Sequence, residues 1–248
     1  MYGIVCGGTT PAIEYASVCL KKAGLPISPS GDQLLLDVPS FRPDGLLRSG
    51  EDLSPLLDRL APGGRVWGGN LRHPTLAPYR KNDLLLDPEY LAQNAYITAE
   101  CVLDVLLPEY PGLIRGCAVG ILGWGRIGKC LARLLKNLDA EVTVVARKET
   151  DRALASALGY GALPFDDAWE FLKGCRILIN TVPDSVLTSE DLAQCPKNCV
   201  KIELASRPAL IGDDVIQAQG LPGRYRPEAS GRLIAATMLR HMKQEGLL

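Results

Sequence analysis

The stretch CAVGILGWGRIGKCLARLLK, from Cys117 to Lys136, decides the fold of this chain. The apolar run Ala118 to Leu122 predicts a buried strand, and the apolar residues after it recur at helical spacing. Between strand and helix, Gly123, Gly125 and Gly128 follow the pattern G-x-G-x-x-G. These glycines allow a tight turn, a close approach of the backbone to a pyrophosphate, and close packing of helix on strand. We therefore predict a dinucleotide-binding unit; the alternative is a fold that keeps the glycines for packing alone.

The tip of the second predicted strand, residues 141–146, bears on which nucleotide binds. Units that bind NAD place an Asp or Glu about twenty residues after the first glycine, where it grips the ribose. Here Arg147 and Lys148 stand at the tip. Two cations suit the extra phosphate of NADP, so we expect NADP rather than NAD. A solvated basic turn is the alternative, and Glu149 would serve an NAD ribose if the register is shifted by two.

The remaining cofactor contacts are expected at the carboxyl ends of the strands, where ligands of parallel sheets lie. Thr181 and Ser206 are short hydroxyl residues at such ends, suited to ribose or nicotinamide, although capping of turns explains them equally well. The full predicted cofactor set is Gly123, Trp124, Gly125, Arg126, Ile127, Gly128, Arg147, Lys148, Asn180, Thr181, Val182, Pro183, Ala205 and Ser206.

Composition narrows the class of protein. The chain has 248 residues, 47% hydrophobic and 22% charged, with a net charge of -1. Bulk charge therefore attracts neither nucleic acid nor an anionic membrane, and no apolar run predicts a membrane span or signal peptide. The eight cysteines form no C-x-x-C pair and are expected to be buried thiols in the cytoplasm. Cys195 and Cys199 have ligand-like spacing, but no other Cys or His is close in sequence, so we expect no metal.

Alternating strands and helices predict an α/β fold: a doubly wound parallel (Rossmann) sheet with a second, smaller α/β domain. We assign residues 1–92 to the small N-terminal α/β domain, whose first strand starts at Tyr2. Residues 93–231 form the NAD(P)-binding domain, including a crossing helix at 93–107. The C-terminal helix, 232–248, is expected to pack back on the small domain, after a loop at 220–231.

Several short segments together are more specific than the glycine motif. In chain order they are NAYITAE (94–100), ILGWGRIG (121–128), ARK (146–148), INTVP (179–183), LASRP (204–208) and GLPG (220–223), followed by Pro227 and Ser230-Gly231. From about residue 85 onward, the chain resembles the family formed by the A subunit of dipicolinate synthase. More distantly, its layout is similar to 2-hydroxyacid dehydrogenases and adenosylhomocysteinase.

The resemblance implies an NADP-linked oxidation of dihydrodipicolinate to dipicolinate in the cytoplasm during spore formation. It also implies that the partner is a flavoprotein-like second subunit. The sequence departs from the family in a shorter N-terminal domain, in Ala209-Leu210 where the family has a glycine pair, in a shortened 211–220 segment, and in Glu228 where the family has a lysine.

Candidate substrate and catalytic residues follow from the chemistry of a ring dicarboxylate. Two carboxylates call for cations, and aromatising a dihydropyridine requires removal of a hydride and a proton. We expect the substrate-binding residues Arg72, Arg224, Arg226 and Gly223, and the catalytic residues His73 and Arg207, to border a cleft between the domains. Thr98, in the crossing helix, is a further catalytic candidate, expected to support the residues that touch the substrate; a threonine that faces the core is the alternative. His73 is the expected acid/base; a surface loop histidine is the alternative. His241, late in the last helix, is expected on the surface.

Two other functions stay open. One is a nucleotide-binding regulatory or scaffold subunit without turnover, and the other is an NAD-dependent 2-hydroxyacid dehydrogenase. An enzyme of the latter class requires a catalytic Arg, Glu and His, and this chain has only two histidines that could serve. We also expect a homodimer that pairs through the crossing helix.

Overall fold

The computed structural model describes residues 3–248, so Tyr2 of the predicted first strand lies outside the described residues. The chain forms two compact units. Unit 1 runs to Ile97 and resumes at Pro222, and unit 2 spans Thr98–Leu221. No helix among residues 3–248 is long and apolar enough to cross a membrane.

Unit 1 is built on a parallel sheet of four strands in the order β1-β2-β3-β4. Its strands and helices are β1 (Ile4–Cys6), α1 (Pro11–Lys22), β2 (Gly31–Leu35), α2 (Ser54–Leu57), β3 (Leu60–Gly68), β4 (Arg80–Asp83), the first part of α3 (Pro88–Glu109) and α9 (Pro227–Gln244). The helix α9 packs along α1, where Gly231 lies so close to the backbone of α1 that a Cβ would be 2.3 Å from the Ala12 oxygen.

Unit 2 holds a parallel sheet of six strands in the order β10-β9-β8-β5-β6-β7. Its elements are the second part of α3, then β5 (Ala118–Leu122), α4 (Arg126–Asn137), β6 (Glu141–Val145), α5 (Glu149–Ala157), β7 (Gly161–Leu163), α6 (Ala168–Leu172), β8 (Ile177–Asn180), α7 (Ser189–Ala193), β9 (Val200–Glu203) and β10 (Val215–Gln217). The short helix α8 (Leu221–Tyr225) begins at the last residue of unit 2 and otherwise belongs to unit 1. The strand order reverses between β5 and β8, as in a doubly wound nucleotide-binding sheet. The predicted fold class is confirmed.

The predicted loop at 220–231 is wrong, because this segment forms α8 and the start of α9. Pro222 and Pro227 stand in the first turn of these helices, where the missing N–H of proline costs no hydrogen bond. The last helix therefore begins at Pro227, five residues before the predicted start at 232.

The first turn of α1 is capped from a distance. Thr10 occupies the N-cap position but its side chain makes no capping bond. Instead, the Thr10 hydroxyl and the backbone N–H groups of Thr9 and Thr10 all donate to the buried Asp37 carboxylate. A carboxylate therefore accepts hydrogen bonds at this helix terminus, where negative charge is favourable.

The cysteines of unit 2 cluster in its core. Cys175, Cys195 and Cys199 are free thiols, all buried in one apolar cluster. No other cysteine is close to Cys195 and Cys199 in sequence, but the fold brings Cys175 to them. A hydrogen bond that the Cys195 thiol donates to Cys199, together with burial, raises the pKa of Cys195. A hydrogen bond with Cys175 and burial raise the pKa of Cys199 to about 12. Within residues 3–248, no group of acidic, His or Cys side chains is arranged to hold a metal ion.

Candidate functional site

The glycine loop joins the end of β5 to the first residue of α4. Gly123 has a φ of +99°, and a Cβ there would lie 2.7 Å from both the Thr181 hydroxyl and the Val182 side chain. A Cβ on Gly128 would lie 2.3 Å from the Gly123 carbonyl oxygen. The fold itself therefore requires glycine at positions 123 and 128, whether or not a ligand binds.

Gly125 is different. It is the N-cap of α4 with φ -76° and ψ -169°, a conformation open to any residue. A Cβ there would meet nothing within 4 Å among the described residues, so packing gives no reason for a glycine. The position adjoins the free N–H groups of a twelve-residue helix, the kind of terminus that binds phosphate. Gly125 thus fits a bound pyrophosphate and not a purely structural role.

A cavity of about 360 Å³ opens beside the glycine loop and is lined by the tip of β6. Arg147 and Lys148 both line it, both are exposed, and neither forms an ion pair within the part of the chain that the structure describes. Two acids also line it: Asp184 lies 3.5 Å from Arg207, and Asp151 stands in the first turn of α5. The predicted cations therefore line the cavity, together with Asp151, which was not predicted.

Trp124 is the bulkiest residue of the glycine loop and lines the same cavity. Its ring is 6% exposed and packs edge-on against Tyr160, with the Lys129 ammonium 5.9 Å from the ring centre. Trp124, whose indole N–H has no acceptor among residues 3–248, therefore lines the same cavity as Arg147. Arg126 and Ile127 form the first turn of α4, with Arg126 exposed.

The loop after β8 is held by internal hydrogen bonds. The Thr181 hydroxyl donates to the Leu122 carbonyl, 2.8 Å away, and thereby ties this loop to the end of β5. The Asn180 side chain is fully buried; it donates to the Val182 carbonyl and accepts from the Val182 N–H. Val182 lines the cavity and Pro183 is exposed beside it. Contact of these residues with a cofactor stays a prediction.

Glu203, at the end of β9, is a residue that the sequence analysis missed. It is fully buried and accepts hydrogen bonds from Asn180 and from the backbone N–H groups of Ala205, Ala209 and Leu210. Charged residues at two of the four positions of this strand, Lys201 and Glu203, were the available signal, because a buried carboxylate requires partners.

The structure also locates the other predicted residues of unit 2. Ser206 and Arg207 are exposed in the loop after β9, whereas Ala205 is buried. The Arg207 guanidinium is 3.5 Å from the Asp184 carboxylate, which links the loops after β9 and β8. Thr98 is buried in α3 and interacts with another group of the protein.

In unit 1, Arg72 and His73 follow β3 but have separate surroundings. His73 stacks on Phe41 with ring centres 4.8 Å apart, and its Nδ1 is buried without a partner among residues 3–248. Arg72 lines a different cavity, of about 500 Å³, together with Lys81 and His241.

The remaining substrate candidates lie near the start of α9. Gly223 and Arg224 belong to α8, and the Arg224 guanidinium lies 5.6 Å from the ring centre of Tyr225. Arg226, the N-cap of α9, donates to the Tyr225 carbonyl and lines a third cavity with Glu228. Their roles toward a substrate stay predictions.

His241 was expected on the surface, and this is wrong. Its Nε2 lies 2.7 Å from the buried Asp87 carboxylate, which also receives Arg240 and the Tyr90 N–H. Burial raises the pKa of Asp87, but the hydrogen bonds from Tyr90, His241 and Arg240 outweigh it and hold the pKa at about 2. The partners are 154 residues apart in sequence, so no local pattern could reveal them.

The fold and the glycine loop together define a nucleotide-binding domain of the doubly wound class. Residues 107–218 match the family model described as "D-isomer specific 2-hydroxyacid dehydrogenase, NAD binding domain". The chain therefore contains an NAD-binding domain, as the glycine motif predicted.

Comparison with individual proteins is more specific, and it confirms the resemblance to the A subunit of dipicolinate synthase. The chain is 30% identical over 150 residues to that protein from Bacillus subtilis (strain 168), covering 57% of this chain and 50% of the relative. It is 29% identical over 150 residues to adenosylhomocysteinase of Aeropyrum pernix, covering 54% of this chain and 36% of that protein. The crystal structure of the dipicolinate synthase A subunit from Bacillus halodurans superposes with a TM-score of 0.85 at 20% identity, covering 97% of each chain.

The match to the curated relatives is partial. It spans about half of the Bacillus subtilis protein and about a third of the adenosylhomocysteinase. The structural likeness extends over nearly the whole chain, but at 20% identity it shows the fold alone. Reaction, substrate and partners are therefore matters of proposal.

Proposed function

We propose that this chain is an NADP-dependent oxidoreductase that oxidises dihydrodipicolinate, or a related small ring dicarboxylate, to the aromatic product. The observation that carries the proposal is the combination of two features. Gly125 has room for a pyrophosphate and no packing role, and the two cations at the tip of β6 form no ion pair among residues 3–248. The similarity to the A subunit of dipicolinate synthase supports the substrate class.

The residues present fit a dinucleotide. The first turn of α4 offers backbone N–H groups to the pyrophosphate. Arg147 and Lys148 offer charge-assisted hydrogen bonds to the 2′-phosphate of NADP. When bound, NADP supplies the hydride acceptor for the reaction.

The substrate side of the proposal rests on arginine chemistry. A guanidinium group recognises a carboxylate through two parallel hydrogen bonds, which suits Arg72, Arg207, Arg224 and Arg226 to a dicarboxylate. His73 has one ring nitrogen unused by residues 3–248 and is the proposed group that accepts the proton. Thr98 and Gly223 complete the proposed set.

Partners and setting follow from the same similarity. We propose a cytoplasmic homodimer that works with a flavoprotein-like second subunit in spore formation. The word "subunit" in the name of the Bacillus relative supports a partner chain.

Turnover tests this proposal. The purified chain is mixed with dihydrodipicolinate and NADP+, with and without the candidate second subunit, and the reduced cofactor is followed by its absorbance. We expect reduction with the wild type and at least a roughly tenfold slower rate with His73→Gln, as for loss of a general base. Nucleotide binding without turnover in either mixture contradicts the enzyme and favours the regulatory subunit.

One observation favours a second candidate. Asp151 lines the cavity where an NAD ribose would need an acid. An NAD-dependent enzyme of the 2-hydroxyacid dehydrogenase type would use this carboxylate. It would bind NAD+ at least as tightly as NADP+ and would lose NAD+ affinity in Asp151→Asn.

A further inference from the structure

We propose that Glu203 is a positioning residue that ties two cofactor-facing loops together, so that the nicotinamide half of the dinucleotide finds a fixed surface. The proposal rests on the proposed function, because the loops matter in this way only if a dinucleotide binds over them. The two loops are residues 181–183, after β8, and residues 204–210, after β9.

The Glu203 carboxylate has five short contacts with donors. Asn180 Nδ2 lies 3.1 Å from Oε1 and 2.8 Å from Oε2. The Ala205 N–H donates to Oε1 at 2.7 Å, and the N–H groups of Ala209 and Leu210 donate to Oε2 at 2.8 and 2.7 Å. A single side chain therefore holds both ends of the loop after β9.

The second loop is reached through Asn180. This residue pairs directly opposite Glu203 in the parallel register of β8 and β9. Its side chain donates to the Val182 carbonyl at 2.9 Å and accepts from the Val182 N–H at 3.0 Å. Carboxylate, amide and both loops thus form one hydrogen-bonded unit, and both side chains are fully buried.

Only a carboxylate satisfies this arrangement. All the hydrogen-bond partners of Glu203 among residues 3–248 are N–H donors, and an ionised carboxylate accepts at both oxygens. A glutamine would turn its amide NH₂ either toward Ala205 or toward Ala209 and Leu210. Donor would then face donor in a buried place, and the loop would move away to find other acceptors.

The position of these loops in the sheet says which half of the ligand they serve. A dinucleotide lies across the point where strand order reverses, one mononucleotide over each half of the sheet. The reversal lies between β5 and β8. The adenosine half, with Arg147, belongs to the β5–β6 side, and the nicotinamide half therefore belongs to the β8–β9 side, where Glu203 acts.

The test compares Glu203→Gln with Val144→Ala. Val144 is fully buried in β6, which lies between β5 and β7 and carries neither loop, so its truncation should destabilise unit 2 from elsewhere in the sheet. Dissociation constants are measured by calorimetry for NADP+ and for adenosine 2′,5′-bisphosphate, which lacks the nicotinamide half. For Glu203→Gln we expect the dissociation constant of NADP+ to rise roughly tenfold and that of the bisphosphate to change less than about twofold. Val144→Ala should lower the melting temperature and leave both constants unchanged.

Hydrogen exchange supplies a second readout that needs no ligand. The amides of Ala205, Ala209 and Leu210 should exchange slowly in the wild type and roughly tenfold or more faster in Glu203→Gln. If Glu203→Gln does not fold, fast exchange of these amides in the wild type overturns the proposal, and slow exchange supports it.

The outcomes separate this inference from the proposed function. If Glu203→Gln weakens the binding of both ligands equally, or of neither ligand, the positioning role is overturned while dinucleotide binding by the wild type still stands. A wild type that binds neither ligand overturns the proposed function, and the three amides then still decide whether the carboxylate holds the loops.

Discussion

Gly125→Ala should separate the two interpretations of the glycine motif. The residue has an ordinary extended conformation, and a Cβ there meets nothing within 4 Å among the described residues. The methyl group would project into the space beside the first turn of α4. If that space receives a pyrophosphate, the methyl group must exclude it; if the glycines serve packing alone, the methyl group should have no effect.

The expected effect on stability is small because two terms oppose each other. Alanine in place of glycine restricts the unfolded chain and stabilises the protein by about 0.4–1 kcal/mol where the native conformation permits it. Alanine is a poorer N-cap than glycine by roughly 0.5–1 kcal/mol. The free energy of unfolding should therefore change by less than about 1 kcal/mol, and the melting temperature by no more than about 2–4 °C.

The expected effect on binding is large. Titration calorimetry with NADP+ should show the dissociation constant rising at least roughly tenfold, or about 1.4 kcal/mol. Gly128→Ala is the matched control, since its Cβ would lie 2.3 Å from the Gly123 oxygen and the backbone would have to move. That variant should lose stability and binding together. A Gly125→Ala protein that binds NADP+ as the wild type does would refute the reasoning.

Three further results follow from the contacts. The double variant Arg147→Ser, Lys148→Ser should bind NADP+ at least roughly tenfold more weakly and NAD+ nearly as the wild type does, because only NADP+ carries the 2′-phosphate. Calorimetry measures both dissociation constants, and an equal loss of affinity for the two dinucleotides counts against the assignment. Asp87, whose pKa is about 2, contributes stability that is present above the unfolded pKa and lost as pH falls through about 2. Asp87→Asn should therefore lower the free energy of unfolding by about 2–3 kcal/mol at pH 7, followed by urea titration, and the difference from the wild type should shrink in acid; a pH-independent difference speaks against the pairing. Cys195 and Cys199, with raised pKa values and little exposure, should resist iodoacetamide at about pH 8 until the chain unfolds, as read by mass spectrometry; rapid labelling of the native protein contradicts their burial.

Local pattern was enough to predict the nucleotide-binding half of the molecule. The strand at Ala118–Leu122 has its predicted bounds, and the strand at Glu141–Val145 ends one residue before the predicted tip. Both strands are rich in β-branched or apolar residues and have clear stops, and Gly123 between them has the positive φ that the tight turn requires. Arg147 and Lys148 line the cavity because they follow closely on the end of β6, which the sequence located to within one residue.

Hydrogen bonds between residues distant in sequence could not be predicted from local sequence patterns. Asp37 caps α1 from 27 residues away, Glu203 meets Asn180 across 23 residues, and Asp87 meets His241 across 154. Each pair depends on strand order or helix packing, which periodicity does not specify. The helix at 221–225 was missed because proline and glycine are typical of loops, although proline is also favoured in the first turn of a helix.

Calorimetric titration of the wild-type chain with NADP+ and with NAD+ tests the central claim most directly. If a pyrophosphate rests on the first turn of α4 and the cations after β6 hold a 2′-phosphate, NADP+ should bind with a dissociation constant at least roughly tenfold lower than that of NAD+. Absence of binding to either dinucleotide would contradict the cofactor site, and binding of NAD+ as tight as that of NADP+ would contradict the role given to Arg147 and Lys148.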